Sequence, residues 1–347
     1  MEKNSLLKCF DSEGLRKWFF RNRRLLPWRE NPSPYQVWVS EVMLQQTQVA
    51  VVTPYYQRWM KKFPTIQALA QAPLENVIKQ WEGLGYYSRA RNLHEGAQYL
   101  MKVHGGRLPD NYEELCKIKG LGPYTIGAIL SFAYGQKMPA VDGNVLRVLT
   151  RLFAIEDPID KSKTQKEIGE LCAKILPDHE PWVVMEALIE LGATVCQKKA
   201  KCVVCPLSTC CLGKSKADLL PIKTRKQEIV TLHRKVAVIL AGKECLVKKG
   251  KQGQVMADLW EFPYFDHEEN IEEKLNLSLE HMHSLKEVKH GFTKYRACLS
   301  PSLYYAKKRE VAGYQWIPFS ELVQLPFSSG HRKILGVLRN KRDLFMQ

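Results

Sequence analysis

The chain has 347 residues, enough for two domains, and its 45% hydrophobic and 25% charged residues are typical of a folded globular protein. Its longest apolar runs, such as VAVILA at 236–241, are much shorter than the roughly 20 residues that span a bilayer, so we expect no membrane segment. A net charge of +16 favours a polyanion as the partner, although a basic surface can also serve solubility alone.

Up to about residue 212 the pattern predicts helices. Apolar residues recur there at three- and four-residue spacing, with Pro and Gly between the periodic segments.

The first residues include acidic side chains and no apolar signal stretch, which predicts a cytoplasmic location. In that reducing compartment we expect the ten cysteines to be ligands or buried thiols rather than disulfides.

The stretch VWVSEVMLQQTQVA (37–50) carries a glutamate within an apolar helical pattern. Glu41 shares its face with Val37, Leu44 and Gln45. Such a glutamate is either exposed at the edge of the face or partly desolvated, and desolvation would raise its pKa.

Two helix starts follow. In GLGPYTIGAIL, Gly120 and Gly122 mark either an ordinary tight turn or a close approach to a ligand, and Pro123 suits the first helical position. Backbone N–H groups at such a start can bind a phosphate. In AVDGNVLRVL, Asp142 is a simple N-cap or a carboxylate kept ionised by the helix end. With Glu41 it would form the pair of carboxylates that cleaves a glycosidic bond.

The loop CQKKAKCVVCPLSTCC (196–211) has the composition of a metal site. A single C-x2-C pair is flanked by single cysteines, and this spacing alone leaves zinc and an iron–sulfur cluster both open.

Beyond the cysteine loop the sequence pattern changes. Residues 213–232 are polar and basic, which predicts a linker. The following pattern predicts strands at 233–241, 244–250, 295–306 and 313–319, and a closing helix at 328–345. We therefore predict a multidomain protein with an all-α domain (1–212), a linker (213–232) and a smaller α+β domain (233–347).

Several stretches together resemble the adenine DNA glycosylase (MutY) family, a branch of the helix–hairpin–helix glycosylases that removes adenine mispaired with 8-oxoguanine. They are residues 26–56, 81–93, 120–130 and 140–149. The resemblance implies a glycosylase domain that flips its target base out of duplex DNA and a Nudix-like C-terminal domain that reads 8-oxoguanine. Expected partners are duplexes with 8-oxoguanine:adenine or guanine:adenine mispairs, bound by a monomer associated with a bacterial nucleoid.

The resemblance also implies residue roles. Glu41 would protonate adenine, and Asp142, supported by Tyr124 and Asn144, would stabilise the cationic sugar. The same comparison assigns the adenine pocket to Trp28, Arg29, Leu44 and Glu186, and contacts in the duplex to Gln46 and Tyr86. For Tyr86 core packing is the alternative, with Tyr87 as the packed residue of the pair.

Tyr124 separates this chain from the related endonuclease III lyases. As a family they carry a lysine in that position, which forms a Schiff base with the sugar. A tyrosine cannot do so, and the resemblance therefore implies base hydrolysis without strong strand cleavage.

For the cysteine loop the resemblance implies a [4Fe–4S] cluster. Its ligands would be Cys196, Cys202, Cys205 and Cys211, with Cys210 competing for the last place. The spacing C-x5-C-x2-C-x5-C is one residue shorter before Cys202 than is usual in the family.

The C-terminal match departs from the family at two places. Asp258 stands where glycine is usual, and Phe292-Thr293-Lys294 stands where Phe-Ser-His is frequent. Thr293 keeps a hydroxyl that could contact the lesion. The chain lacks the acidic box that binds magnesium in active Nudix enzymes, so we expect a reader rather than a pyrophosphatase. The alternatives are a glycosylase of different base specificity and an inactive DNA-damage binder.

Overall fold

The computed structural model describes residues 7, 10–224, 228–251, 253–254, 256–292 and 295–339, the side chain of residue 292 excepted. The chain divides into two compact units. The first contains residues 1–71 and 92–226, and the second contains residues 72–91 and 227–347. Within the described ranges, no helix is long and apolar enough to cross a membrane.

The first unit is helical, as its apolar spacing predicts. Its helices are α1 (Ser12–Asn22), α2 (Pro34–Leu44), α3 (Val49–Lys62), α4 (Ile66–Gln71), α6 (Ser88–His104, from Asn92 onward), α7 (Tyr112–Cys116), α8 (Pro123–Ala128), α9 (Gly143–Leu152), α10 (Ser162–Ile175) and α11 (Pro181–Thr194). A π-helical turn, Ile129–Ala133, continues α8.

Helix α2 shows why these boundaries fall where they do. The Ser33 hydroxyl accepts from the Gln36 N–H and the Gln36 side chain accepts from the Ser33 N–H, so a capping box starts the helix, with Pro34 at its first position. All residues of α2 from Val37 to Met43 are buried. A helix enclosed on every side brings its one carboxylate into the interior.

The sequence predicts a linker over 213–232. The first part of this segment packs as part of the first unit. Ala217 and Leu220 are buried, and the Leu212 and Gly213 N–H groups bond to carbonyls of α9. Strand β1 begins at Val230, three residues before the predicted strand start. The predicted domain boundaries stay a prediction.

The second unit is built on a mixed sheet. Its strands are β1 (Val230–Ala241), β2 (Glu244–Lys249), β3 (Trp260–Glu261), β4 (Tyr264–Phe265), β5 (Glu280–Ser284), β6 (Val288–Phe292), β7 (Tyr295–Tyr305) and β8 (Gln315–Pro318). The path β3-β2-β1-β7-β5 forms the sheet, while β4 joins β1, β6 joins β7 and β8 joins β2. Strands β1 and β7 run parallel, from Val230 opposite Tyr295 to Leu240 opposite Tyr305.

Successive residues of β1 supply two hydrophobic clusters, because neighbouring side chains in a strand point to opposite faces. Val236, Val238 and Leu240 lie in one cluster with helix α13 (Ser329–Arg339). Ala237 and Ile239 lie in the other with helix α12 (Ile271–Leu275). This double burial explains the continuous apolar run at 236–241.

Helix α5 (Leu74–Trp81) and the loop after it also pack in the second unit. Glu82 accepts from Arg332 Nε at 2.6 Å and from the Phe327 N–H at 2.8 Å. Trp260 Nε1 donates to Glu75 at 3.0 Å. A short segment from the middle of the helical sequence is therefore part of the second unit.

Candidate active site

The first unit has an open cavity of about 940 Å³. The residues named from the sequence that line it are Trp28, Arg29, Glu41, Leu44, Gln46, Tyr124, Asp142, Asn144 and Glu186. They come from the loop before α2, from α2 and its C-terminal end, and from the starts or middles of α8, α9 and α11. Trp28 and Glu186, which are 158 positions apart in the chain, thus line the same cavity.

Glu41 lies at the wall of this cavity. Its relative exposure is 6%, so the desolvated alternative holds and the exposed one does not. Burial raises the pKa of Glu41 to about 7. A hydrogen bond from the Tyr124 hydroxyl and the charge of Arg29 lower it, while the Asp142 and Glu186 carboxylates raise it.

Asp142 is the N-cap of α9 and a cavity residue at once. Its Oδ1 accepts from the Asn144 N–H at 2.9 Å and from the Val145 N–H at 2.8 Å, and its Oδ2 accepts from Asn144 Nδ2 at 2.7 Å. The helix end was expected to favour the ionised form. The net pKa moves upward instead, because burial outweighs these hydrogen bonds and the charge of Arg147.

A glycine brings α9 and α11 together at this point. A Cβ on Gly192 would lie 2.6 Å from the Cβ of Asn144 and 2.9 Å from its carbonyl oxygen. Arg147 then crosses the contact, donating to Asn144 Oδ1 at 2.9 Å, to the Gly192 carbonyl at 2.7 Å and to the Cys196 carbonyl at 2.7 Å. The close approach of the two helices therefore holds Asn144, whose side chain donates to Asp142, in place.

The proposed base pocket has an aromatic side and a charged side. Trp28 is buried and packs edge-on against Tyr56, with ring centroids 5.3 Å apart. Arg29 Nε pairs with Glu186 Oε2 at 3.1 Å.

Sequence reasoning missed two residues of this region, Arg24 and Glu190. Arg24 lines the cavity, and Glu190 binds both Arg24 and Arg29. The available signal was the spacing of Glu186 and Glu190, since residues four apart share a helical face.

The two residues proposed to enter the duplex have left-handed backbones at exposed positions. Gln46 follows α2 with φ of 56°, and Tyr86 has φ of 49°. Tyr86 is 42% exposed, whereas Tyr87 is 8% exposed and its hydroxyl accepts from the Gly83 N–H at 3.1 Å. Tyr87 is therefore the packed residue of the pair, and Tyr86 is open to a ligand.

The glycine turn before α8 is open at Gly122 but not at Gly120, where a Cβ would lie 2.6 Å from Asn92. Gly120 has φ of 86°, which favours glycine, and Gly122 is the N-cap of α8 with free space where a Cβ would stand. Thr293 and Lys294 lie outside the described residues.

The four cysteines proposed as ligands line one small cavity of about 30 Å³. Arg151, Lys201 and Lys214 line it too, and positive charge stabilises thiolates. Cys210 is buried, and its thiol points to the Leu207 carbonyl at 3.4 Å. Over the described positions no group of three or more His, Cys, Asp or Glu has the geometry of a metal site. The donor set nevertheless has the chemistry of a Cys₄ centre.

Comparison with known proteins shows the family of the chain. An adenine DNA glycosylase of Buchnera aphidicola subsp. Baizongia pistaciae is 35% identical over 286 residues, which cover 80% of this chain and 81% of that protein. The chain belongs to the adenine DNA glycosylase family. Another member, from Arabidopsis thaliana, is 38% identical over 294 residues, which are 72% of this chain and 46% of that protein.

The two parts of the chain match separate families. Residues 39–174 match the HhH-GPD superfamily of base excision DNA repair proteins, and residues 235–336 match the NUDIX domain. The structure of a thermostable thymine-DNA glycosylase is similar with a TM-score of 0.56 and 27% identity, covering 61% of this chain and 98% of that one. The predicted fold class, a helical glycosylase domain followed by a Nudix-like domain, is confirmed. Family membership makes the chain an enzyme of base excision DNA repair that hydrolyses N-glycosyl bonds.

Proposed function

We propose that this chain hydrolyses the bond between adenine and deoxyribose where adenine is mispaired with 8-oxoguanine or guanine in duplex DNA. The observation that carries the proposal is the pair of carboxylates in one cavity: Glu41, whose pKa is raised to about 7, and Asp142, held by three hydrogen bonds. One acid and one anion on the same site are what glycosidic cleavage through an oxocarbenium-like state requires.

Each carboxylate has a distinct role in the proposed reaction. The Tyr124 hydroxyl donates to Oε2 of Glu41, which leaves Oε1 to carry the proton that adenine receives. Protonation makes the base a better leaving group. Asp142, oriented by Asn144, then stabilises the positive charge that develops on the sugar until water adds.

The lining of the cavity supports hydrolysis over lyase chemistry. Within the described part of the chain, no lysine lines it. Burial raises the pKa of Tyr124 well above its usual value, so its hydroxyl keeps its proton. A Schiff base needs a neutral amine at the sugar, and the residue in that position is a hydrogen-bond donor instead.

The second unit supports the proposed reading of 8-oxoguanine. It has an open cavity of about 740 Å³, whose lining includes Tyr86, Gln254, His290, Tyr295 and Arg296. Aromatic, amide and guanidinium groups are suited to stacking on an unpaired base and bonding to its edge. Its lining includes residues of β6 and of β7.

We further propose that Cys196, Cys202, Cys205 and Cys211 hold a [4Fe–4S] cluster. All four line the same cavity, and the cavity carries three basic side chains that suit an anionic thiolate centre. When bound, the cluster would fix the loop that follows α11.

Release of free base from defined mispairs tests the function. The full-length protein should release adenine opposite 8-oxoguanine and, more slowly, opposite guanine, with little strand cleavage. Release of another base would support the alternative specificity. Tight binding without release of any base would identify an inactive damage binder.

A further inference from the structure

Glu190 lies behind the base pocket and has no exposed surface. Helix α11 presents Glu186 and Glu190 one turn apart, and Glu186 lines the cavity. A fully buried carboxylate is costly unless charged partners compensate it. The charged partners of Glu190 are therefore the groups that it holds in place.

Those partners are two arginines. Arg24 donates from Nε to Oε1 of Glu190 at 2.6 Å and from Nη2 to Oε2 at 3.0 Å, and its backbone N–H lies 3.3 Å from Oε1. Arg29 Nη2 lies 2.8 Å from Oε2, while its Nε pairs with Glu186. Arg29 Nη1 also donates to the Arg24 carbonyl at 3.2 Å. Glu190 is thus the common anchor of both guanidiniums.

We propose that Glu190 is a positioning residue for base excision, which holds Arg24 and Arg29 at the cavity wall and sets the charge that Glu41 experiences. The inference rests on the proposed role of Glu41 as the acid. Burial acts to raise the pKa of Glu190, but hydrogen bonds and charges from the two arginines outweigh it and hold that pKa below its usual value. Glu190 is therefore an anion at neutral pH.

The effect on Glu41 has a definite sign. The charged and titratable groups that face Glu41 are Tyr124, Asp142, Glu186 and Arg29. Arg29 contacts Glu190 and also faces Glu41. Removing the charge of Glu190 leaves the charge of Arg29 less compensated, so the surroundings of Glu41 become more positive and its pKa falls. Because an acid catalyst must be protonated, the fall in rate at high pH moves to lower pH.

The experiment is a pH profile of single-turnover adenine release by full-length protein, for the wild type and for Glu190→Gln. Glutamine keeps the shape and loses the charge. We expect the alkaline limb, near pH 7 in the wild type, to move down by about one pH unit. Duplex affinity, measured in parallel, should change less than the rate at neutral pH.

Arg24→Gln is the matched variant, at a side chain that is 37% exposed. It removes a positive charge from the same cluster, so the limb should move up. A merely structural role would lower the rate equally at every pH. If neither limb moves while the wild type releases adenine, the inference is overturned and the proposed function stands. If the wild type releases no adenine, both are overturned. Should Glu190→Gln fail to fold, the Arg24→Gln profile decides.

Discussion

For each of the two carboxylates of the cavity, burial and hydrogen bonding shift the pKa in opposite directions. Burial raises the pKa of both. Glu41 has the Tyr124 hydroxyl as a donor, whereas Asp142 accepts from two backbone N–H groups and the Asn144 amide. Donors stabilise the charged form, so Asp142 is better suited to be the anion and Glu41 the acid.

Asp142→Asn should reduce single-turnover adenine release at least about a hundredfold, the loss typical of one preorganised electrostatic group. Asparagine is as good an N-cap as aspartate, so stability and mispair affinity should change little. Asp142→Ala is the control, because it also removes the cap and should cost about 1 kcal/mol of stability. Turnover near wild type in Asp142→Asn would refute the assignment.

Glu41→Gln should lower the rate about 10²- to 10⁴-fold, because an amide is no proton donor, with duplex affinity retained. In the wild type the rate should fall as pH rises through about 7, where Glu41 loses its proton. The variant should lose this dependence. A loss of less than about tenfold would assign the acid to another residue or to solvent.

Among elements, the contact of α9 with α11 controls the geometry of the site. Gly192→Ala would place a Cβ 2.6 Å from Asn144, so it should destabilise the fold by about 1–3 kcal/mol and slow base release. Gly169 is also helical, on α10, with no atom within 4 Å of an added Cβ. Gly169→Ala should instead leave activity intact and raise stability by roughly 0.5–1 kcal/mol, as thermal unfolding of both variants would show.

The cysteine loop gives a second test at this scale. The purified protein should be yellow-brown and contain roughly four irons, the inventory of a Cys₄ cluster. Cys211→Ser should lower the iron content and the visible absorbance. Cys210→Ser should keep both, because that thiol points to the Leu207 carbonyl rather than into the cavity. One zinc in a colourless wild-type protein would contradict the proposal.

Local pattern predicted much of this architecture. The apolar run at 236–241 became β1, and Asp142 before an apolar run became an N-cap. The short strands β3 and β4, of two residues each, have too few positions to show alternation. Arg24 was missed because its partner Glu190 lies 166 residues away, and no local spacing records an ion pair between distant segments.

For the whole molecule, lesion preference is the property to measure. Thr293→Val in the full-length chain should lower the preference for adenine opposite 8-oxoguanine over adenine opposite guanine by about tenfold, since a base-edge contact contributes about 1–3 kcal/mol. Thr293→Ser keeps the hydroxyl and should keep the preference. An unchanged ratio of the two rates in Thr293→Val would assign lesion recognition elsewhere.

The placement of residues 72–91 in the second unit has a consequence for the order of folding. Glu82 bonds to Arg332, which is 250 residues further along the chain, and Glu75 bonds to Trp260, which is 185 residues further. Domains near the N-terminus generally fold first during synthesis, but this segment finds its partners only after Trp260 and Arg332 have been synthesised. Contacts so distant in sequence form slowly, because loop closure precedes any gain from them. The loop bearing Tyr86 should therefore be among the last parts of the molecule to become ordered.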